Sequence, residues 1–162
     1  MKGSKILLVI SCGKKKTPKL EKQKIKASEA YTGPMFQVIH KAKREGRWND
    51  NIYLGIVSAK YGFLRGYESI ENYDLRMTDK LAVQHNPQVI ARIIEWHHEE
   101  NFEYIYVLMG RVYLKAVKGL ENYIDTHIKI ENMSGLGLGQ QKLVRFLEKF
   151  SEHPKSLLNS MK

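Results

Sequence analysis

The chain of 162 residues has a single cysteine, Cys12, so no internal disulfide framework is available to it. No stretch approaches the roughly 20 consecutive apolar residues of a membrane-spanning helix, and no membrane association is expected. Met1-Lys2-Gly3-Ser4-Lys5 leads straight into a short apolar segment, without the apolar core and cleavage site of a secretory signal. A cytoplasmic protein is therefore expected. Internal repeats and domain linkers are missing. So are the clustered acids that a phosphate-cleaving metalloenzyme needs, and His97-His98 has no third ligand at a metal spacing. No metal or other cofactor is expected.

What is present is ordinary globular composition, 43% hydrophobic and 27% charged, in a length that suits one domain with a real core. The balance of charge is not ordinary. Lysine and arginine number 27 against 17 acids, a net +10, and residues 1–26 hold nine lysines against Glu21 alone. Such a block is what binding to a phosphate backbone requires, and it is equally the look of a solvated lysine-rich surface.

Ile6-Leu7-Leu8-Val9-Ile10 reads as a strand buried on both faces, the kind found in the middle of a parallel sheet. Ligands bind off the carboxyl ends of such strands. There the sequence places Ser11, Cys12, Gly13, Lys14, Lys15 and Lys16: a small donor, a thiol, a flexible turn residue and three ammonium groups suited to phosphate. A second apolar strand, Tyr53 to Val57, ends in Ser58-Ala59-Lys60-Tyr61-Gly62-Phe63-Leu64. Two parallel strands with these ends would bring Ser11, Lys14, Ser58 and Lys60 to one sheet edge.

These two segments, with Ala30-Tyr31-Thr32-Gly33-Pro34-Met35-Phe36 and Tyr73-Asp74-Leu75, resemble a small domain family of unassigned function. That family is similar to the peroxide-stress protein YaaA superfamily, which carries a comparable serine-alanine-lysine-aromatic-glycine-leucine segment. The resemblance runs in order over roughly residues 5 to 150. It departs at Asn72, where the family often has proline. It implies an α/β fold with affinity to the uracil-glycosylase type of sandwich, and a link to stress responses and nucleic acid.

Residues 17–27 read as a lysine-rich mobile loop, followed by a helix from Tyr31-Thr32-Gly33-Pro34 to Gly46 with Thr32 available as cap. Tyr31 is a candidate for stacking on a base, or for packing onto its own helix. The polar segment 65–78 is too long for a simple connector, and Asp74 within it is either a catalytic carboxylate or a turn cap. A helix is expected from Asn86-Pro87. Tyr104 to Met109 is a third strand, leaving through Gly110 to Arg111, which is a phosphate ligand or a structural ion pair. His127 to Ile130 is a fourth, and a helix is expected from Leu143 to Phe150. Between them, Gly135, Gly137 and Gly139 form either a plain glycine-rich turn or the phosphate-binding hairpin of a helix-hairpin-helix module.

The expected fold is one α/β domain over residues 1–150, a mostly parallel sheet of about four strands with helices on both faces, and residues 151–162 as a tail or short capping helix. Three functions stay open. The first is an enzyme on nucleic acid or nucleotides that cleaves or exchanges an N-glycosidic bond. It would use Asp74, Ser58 and Lys60 in catalysis, Tyr31 and Tyr61 for stacking, and Ser11, Gly13, Lys14, Lys15, Lys16, Arg111, Gly135 and Gly137 for phosphates. The second is a non-catalytic DNA- or RNA-binding protein on the same basic edge. The third is a thiol enzyme built on Cys12.

Overall fold

A computed structural model describes residues 3–151, so the expected tail or capping helix lies, past Ser151, outside the described residues. In chain order the elements are β1 (Ile6–Ser11), β2 (Ile25–Lys26), α1 (Ala27–Ala30), α2 (Pro34–Arg44), β3 (Ile52–Ser58) and β4 (Gly62–Arg65). They continue with β5 (Ser69–Ile70), α3 (Asp79–Glu100), β6 (Tyr104–Met109), α4 (Arg111–Leu114), β7 (His127–Asn132) and α5 (Leu136–Lys149).

The aliphatic run of β1 sits where its composition demands, fully buried between two parallel neighbours. Leu8 stands between Leu54 of β3 and Tyr106 of β6. The sheet order is β4-β3-β1-β6-β7. Alternation of side chains then divides the core in two. Ile6, Leu8 and Ile10 pack under α2 and α5, while Leu7 and Val9 pack under α3. This is the expected single α/β unit with helices on both faces.

The fifth strand was not expected. Residues 58–64 read as a loop, yet they form a hairpin in which Ser58 pairs antiparallel with Gly62. Gly62 has φ +72°, and a Cβ there would lie 2.2 Å from the Gln88 amide, so only glycine closes this turn. Gln88 of α3 holds the hairpin in return, accepting from the Phe63 N–H at 3.0 Å.

Three other boundaries moved for physical reasons. The helix expected from Asn86-Pro87 starts at Asp79 instead, because Thr78 caps it by accepting from the Leu81 N–H at 3.1 Å. Pro87 is tolerated inside on the solvent-facing side of α3, where a missing bond costs least. Gly33, not Thr32, occupies the cap of α2, with Pro34 in the first turn. The expected mobile loop at 17–27 is ordered by a short 3-10 turn over Pro18–Glu21 and by β2, which pairs with β5.

The chain passes from β3 on one side of β1 to β6 on the other. Strand order reverses there, so the carboxyl ends of β1 and β6 bound a crevice between oppositely placed helices.

Candidate functional site at the carboxyl edge of the sheet

A cleft of about 260 Å³ opens at this crevice. Cys12, Gly13, Lys14 and Lys16 line it from the loop leaving β1; Asp74, Leu75, Arg76 and Met77 from the segment between β5 and α3; and Tyr113 from α4. Each contribution follows from local structure. Cys12 continues β1 by donating its backbone N–H to the Val57 carbonyl at 2.9 Å. Its Sγ lies 3.3 Å from the Tyr113 hydroxyl. The β2–β5 pairing ties the two long loops together, and Lys16 completes the join. Its ammonium donates to the Tyr73 carbonyl at 3.0 Å and sits 4.1 Å from the centre of the Tyr73 ring.

Beneath the cleft lies a second polar group of side chains. Ser58 Oγ accepts from the backbone N–H groups of Lys60 and Tyr61, both at 3.2 Å, which leaves its own proton for the Tyr73 hydroxyl at 2.9 Å. The Tyr31 hydroxyl is 2.6 Å from that of Tyr73. Burial pushes the Tyr31 phenol up to about 12, helped by the neighbouring Cys12 and opposed by its hydrogen bonds to Ser58 and Tyr73. Burial, then Cys12, likewise drives Tyr73 and Tyr113 far above the ordinary phenol range. All three are O–H groups at neutral pH, able to donate as well as accept.

Cys12, Gly13, Lys14, Lys16 and Asp74 thus converge. The other expected site residues are elsewhere. Tyr31 has no exposed ring face at all, 0% relative exposure, and packs against Phe36 of α2, the helix it precedes, so the stacking role is corrected to a core role. Ser58 is equally buried; it serves the hairpin turn and the phenols, out of reach of anything in the cleft. Ser11 is half-buried at the end of β1, and Lys15 is exposed, with its carbonyl accepting from Thr32. Tyr61 sets its ring edge-on to Tyr73 and accepts from the Glu71 N–H, with the Lys60 ammonium 5.3 Å from its ring centre. Arg111 lines a different hollow, beside Leu114 and Ile130.

The glycine-rich segment is not a helix-hairpin-helix hairpin. A strand, β7, precedes it and α5 begins at Leu136 rather than at Leu143. Gly135, with φ +104°, is the cap, Gly137 lies in the first turn, and Gly139 lets α5 rest on Met133, which a Cβ would approach to 3.0 Å.

Sequence reasoning passed over Tyr113, Arg76 and the hydroxyl of Tyr73. Tyr113 carried one usable signal: it stands one helical turn beyond the strand-to-helix turn at Gly110.

The arrangement offers three cations for an anion, one carboxylate among them, and a floor of thiol and neutral phenol for the polar edge of an uncharged group. Residues 6–148 match a family of unknown function (DUF6884). No curated protein and no solved structure matches the chain.

Proposed function

The chain belongs to that family of unknown function, and we propose that its cleft takes up a nucleotide unit, free or within a nucleic acid, and acts on the N-glycosidic bond. One observation carries the reading: Asp74 shares the walls of a single cleft with Lys14, Lys16 and Arg76. The cations meet the phosphate. The carboxylate stabilises the positive charge that develops on the sugar as the C–N bond breaks and the base leaves with its electron pair. Water adds to that sugar carbon, its proton passes to the base, and Tyr113 with Cys12 hydrogen-bonds the base. The volume, about 260 Å³, lies near the lower end of small-molecule sites, which suits one base with its sugar. The net charge of +10 and the resemblance to the peroxide-stress superfamily support the same substrate class.

A specific observation favours a second reading, a binder without catalysis. Asp74 is exposed, and no described residue donates a hydrogen bond to it, whereas preorganised catalytic carboxylates are held in place. The thiol reading has less behind it. The hydrogen-bond partner of Cys12 is a phenol that burial keeps protonated at neutral pH, so it is no base for the thiol proton, and among the described residues no histidine hydrogen-bonds the thiol.

The test is release of free base from oligonucleotides carrying uracil, hypoxanthine or an oxidised purine, run beside anisotropy binding of the same strands. Released base supports the enzyme. Binding without release moves the assignment to the binder. Absence of binding to strands and mononucleotides alike sinks both.

A further inference from the structure

Outside the cleft, four cations gather between β7 and α5. An open groove of about 250 Å³ there is walled by Lys129 of β7 and by Lys142, Arg145 and Lys149 of α5. None of the four has an ion-pair partner among the described residues. The one acid lining the groove among the described residues, Glu131, accepts a hydrogen bond from the Tyr106 hydroxyl. Lys142 reaches back to the Asn132 carbonyl at 2.7 Å, which fixes the upper end of the row.

We propose that this groove carries the phosphate backbone flanking a nucleotide held in the cleft, so that the ligand is a nucleic-acid strand rather than a free mononucleotide. The inference rests on the reading of the cleft given above. Spacing supports it. Positions 142, 145 and 149 share one face of α5 and span about 10 Å along the axis, the rise of about three phosphates in one strand of a duplex. β7 stands two places from β1 in the sheet, roughly 10 Å across. A strand leaving the cleft reaches the groove within a few nucleotides. Among the described residues β7 is the edge of the sheet, and none of them closes the outer side of the groove to a polymer. A second copy of this chain is a poor occupant, since it would set cations against cations at a net charge of +10 each. An acidic polypeptide is the competing class.

The experiment uses the full chain and the triple variant Lys129→Gln, Arg145→Gln and Lys149→Gln, three exposed positions at which glutamine keeps the polar surface. Anisotropy of a short labelled single strand is followed against salt, with a nucleoside monophosphate and polyglutamate as separate competitors. The expected result is a fall of about two units in the salt slope for the strand, with monophosphate affinity and melting temperature unchanged. An unchanged slope overturns the proposal, as does polyglutamate displacing the strand as well as unlabelled strand does. Should the triple variant melt early, Arg145→Glu alone must weaken strand binding severalfold at an unchanged melting temperature, or the groove is ordinary surface. Lys14→Ala with Lys16→Ala reports on the cleft separately. If that variant keeps full monophosphate binding, the cleft reading has failed, whatever the groove does.

Discussion

The sulfur of Cys12 and the hydroxyl of Tyr113 lie 3.3 Å apart across the junction of β1 and β6. They are separated by 101 residues of chain and by the point at which strand order reverses. One polar contact therefore closes the floor of the crevice in which an α/β sheet of this kind binds ligands. It also makes the lone cysteine a small, buried, hydrogen-bonded residue, the usual state of a free thiol in a core.

Cys12→Ser puts a better hydrogen-bonding atom in the same place. We expect any base-releasing activity of the variant to stay within about tenfold of the native rate, because loss of a covalent nucleophile costs far more. The native thiol should react with iodoacetamide slowly until the protein unfolds. Fast alkylation at neutral pH, coupled to loss of activity in the variant, would transfer the assignment to a thiol enzyme.

Asp74→Asn keeps the shape of the side chain and removes its charge. If the carboxylate faces a sugar that becomes positive in the transition state, rate should fall on the order of a hundredfold or more. Affinity for the strand should hold or rise slightly, since a negative charge leaves a wall shared with Lys14, Lys16 and Arg76. Equal losses in rate and affinity, tracking a lower melting temperature, would make Asp74 a structural residue.

Ser58→Ala separates structure from chemistry beneath the cleft. It strips the acceptor from two backbone N–H groups and the donor from Tyr73. Leaving buried polar groups unpaired costs about 1–3 kcal/mol. The melting temperature should drop accordingly, while strand affinity measured well below the transition changes little. Full stability with abolished base release would restore Ser58 to a direct catalytic role.

The buried phenols set the alkaline limit of the fold. Burial raises Tyr31 and Tyr104 from 10.0 to about 12, and drives Tyr73, Tyr106 and Tyr113 higher still. A phenol whose pKa is raised by folding adds stability that is complete below its unfolded value and is lost as pH climbs through the folded one. Melting temperature should therefore fall steadily from about pH 10 to about pH 12. Tyrosinate absorbance from the buried rings should rise together with unfolding. A single gradual titration with no loss of structure would show that these phenols are open to water.

Local pattern in the chain settles the frame. Five aliphatics in a row at Ile6–Ile10 can be satisfied only by burial on both faces, so the central strand, the parallel sheet and the position of the lysine loop at its carboxyl end all follow. The odd polar loop around Asp74 was legible for a similar reason, since ionic and aromatic side chains there have no periodic pattern to serve. Tertiary structure alone decided what each of those residues meets. Ser58 looked like a catalytic residue at the open edge of the sheet because a serine after a strand reads the same whether the chain leaves the sheet or turns back into it; the antiparallel return of β4 made it a turn residue. Tyr31 looked available because local pattern reads the same whether the ring stacks on a ligand or packs on Phe36; Tyr73, brought in from 42 residues away, supplies the hydroxyl partner that lets it stay buried. Tyr113 entered the site the same way, from the far side of the strand reversal. Periodicity is a property of neighbours in the chain, whereas exposure and hydrogen-bond partners belong to neighbours in space, and loops of tens of residues decide those.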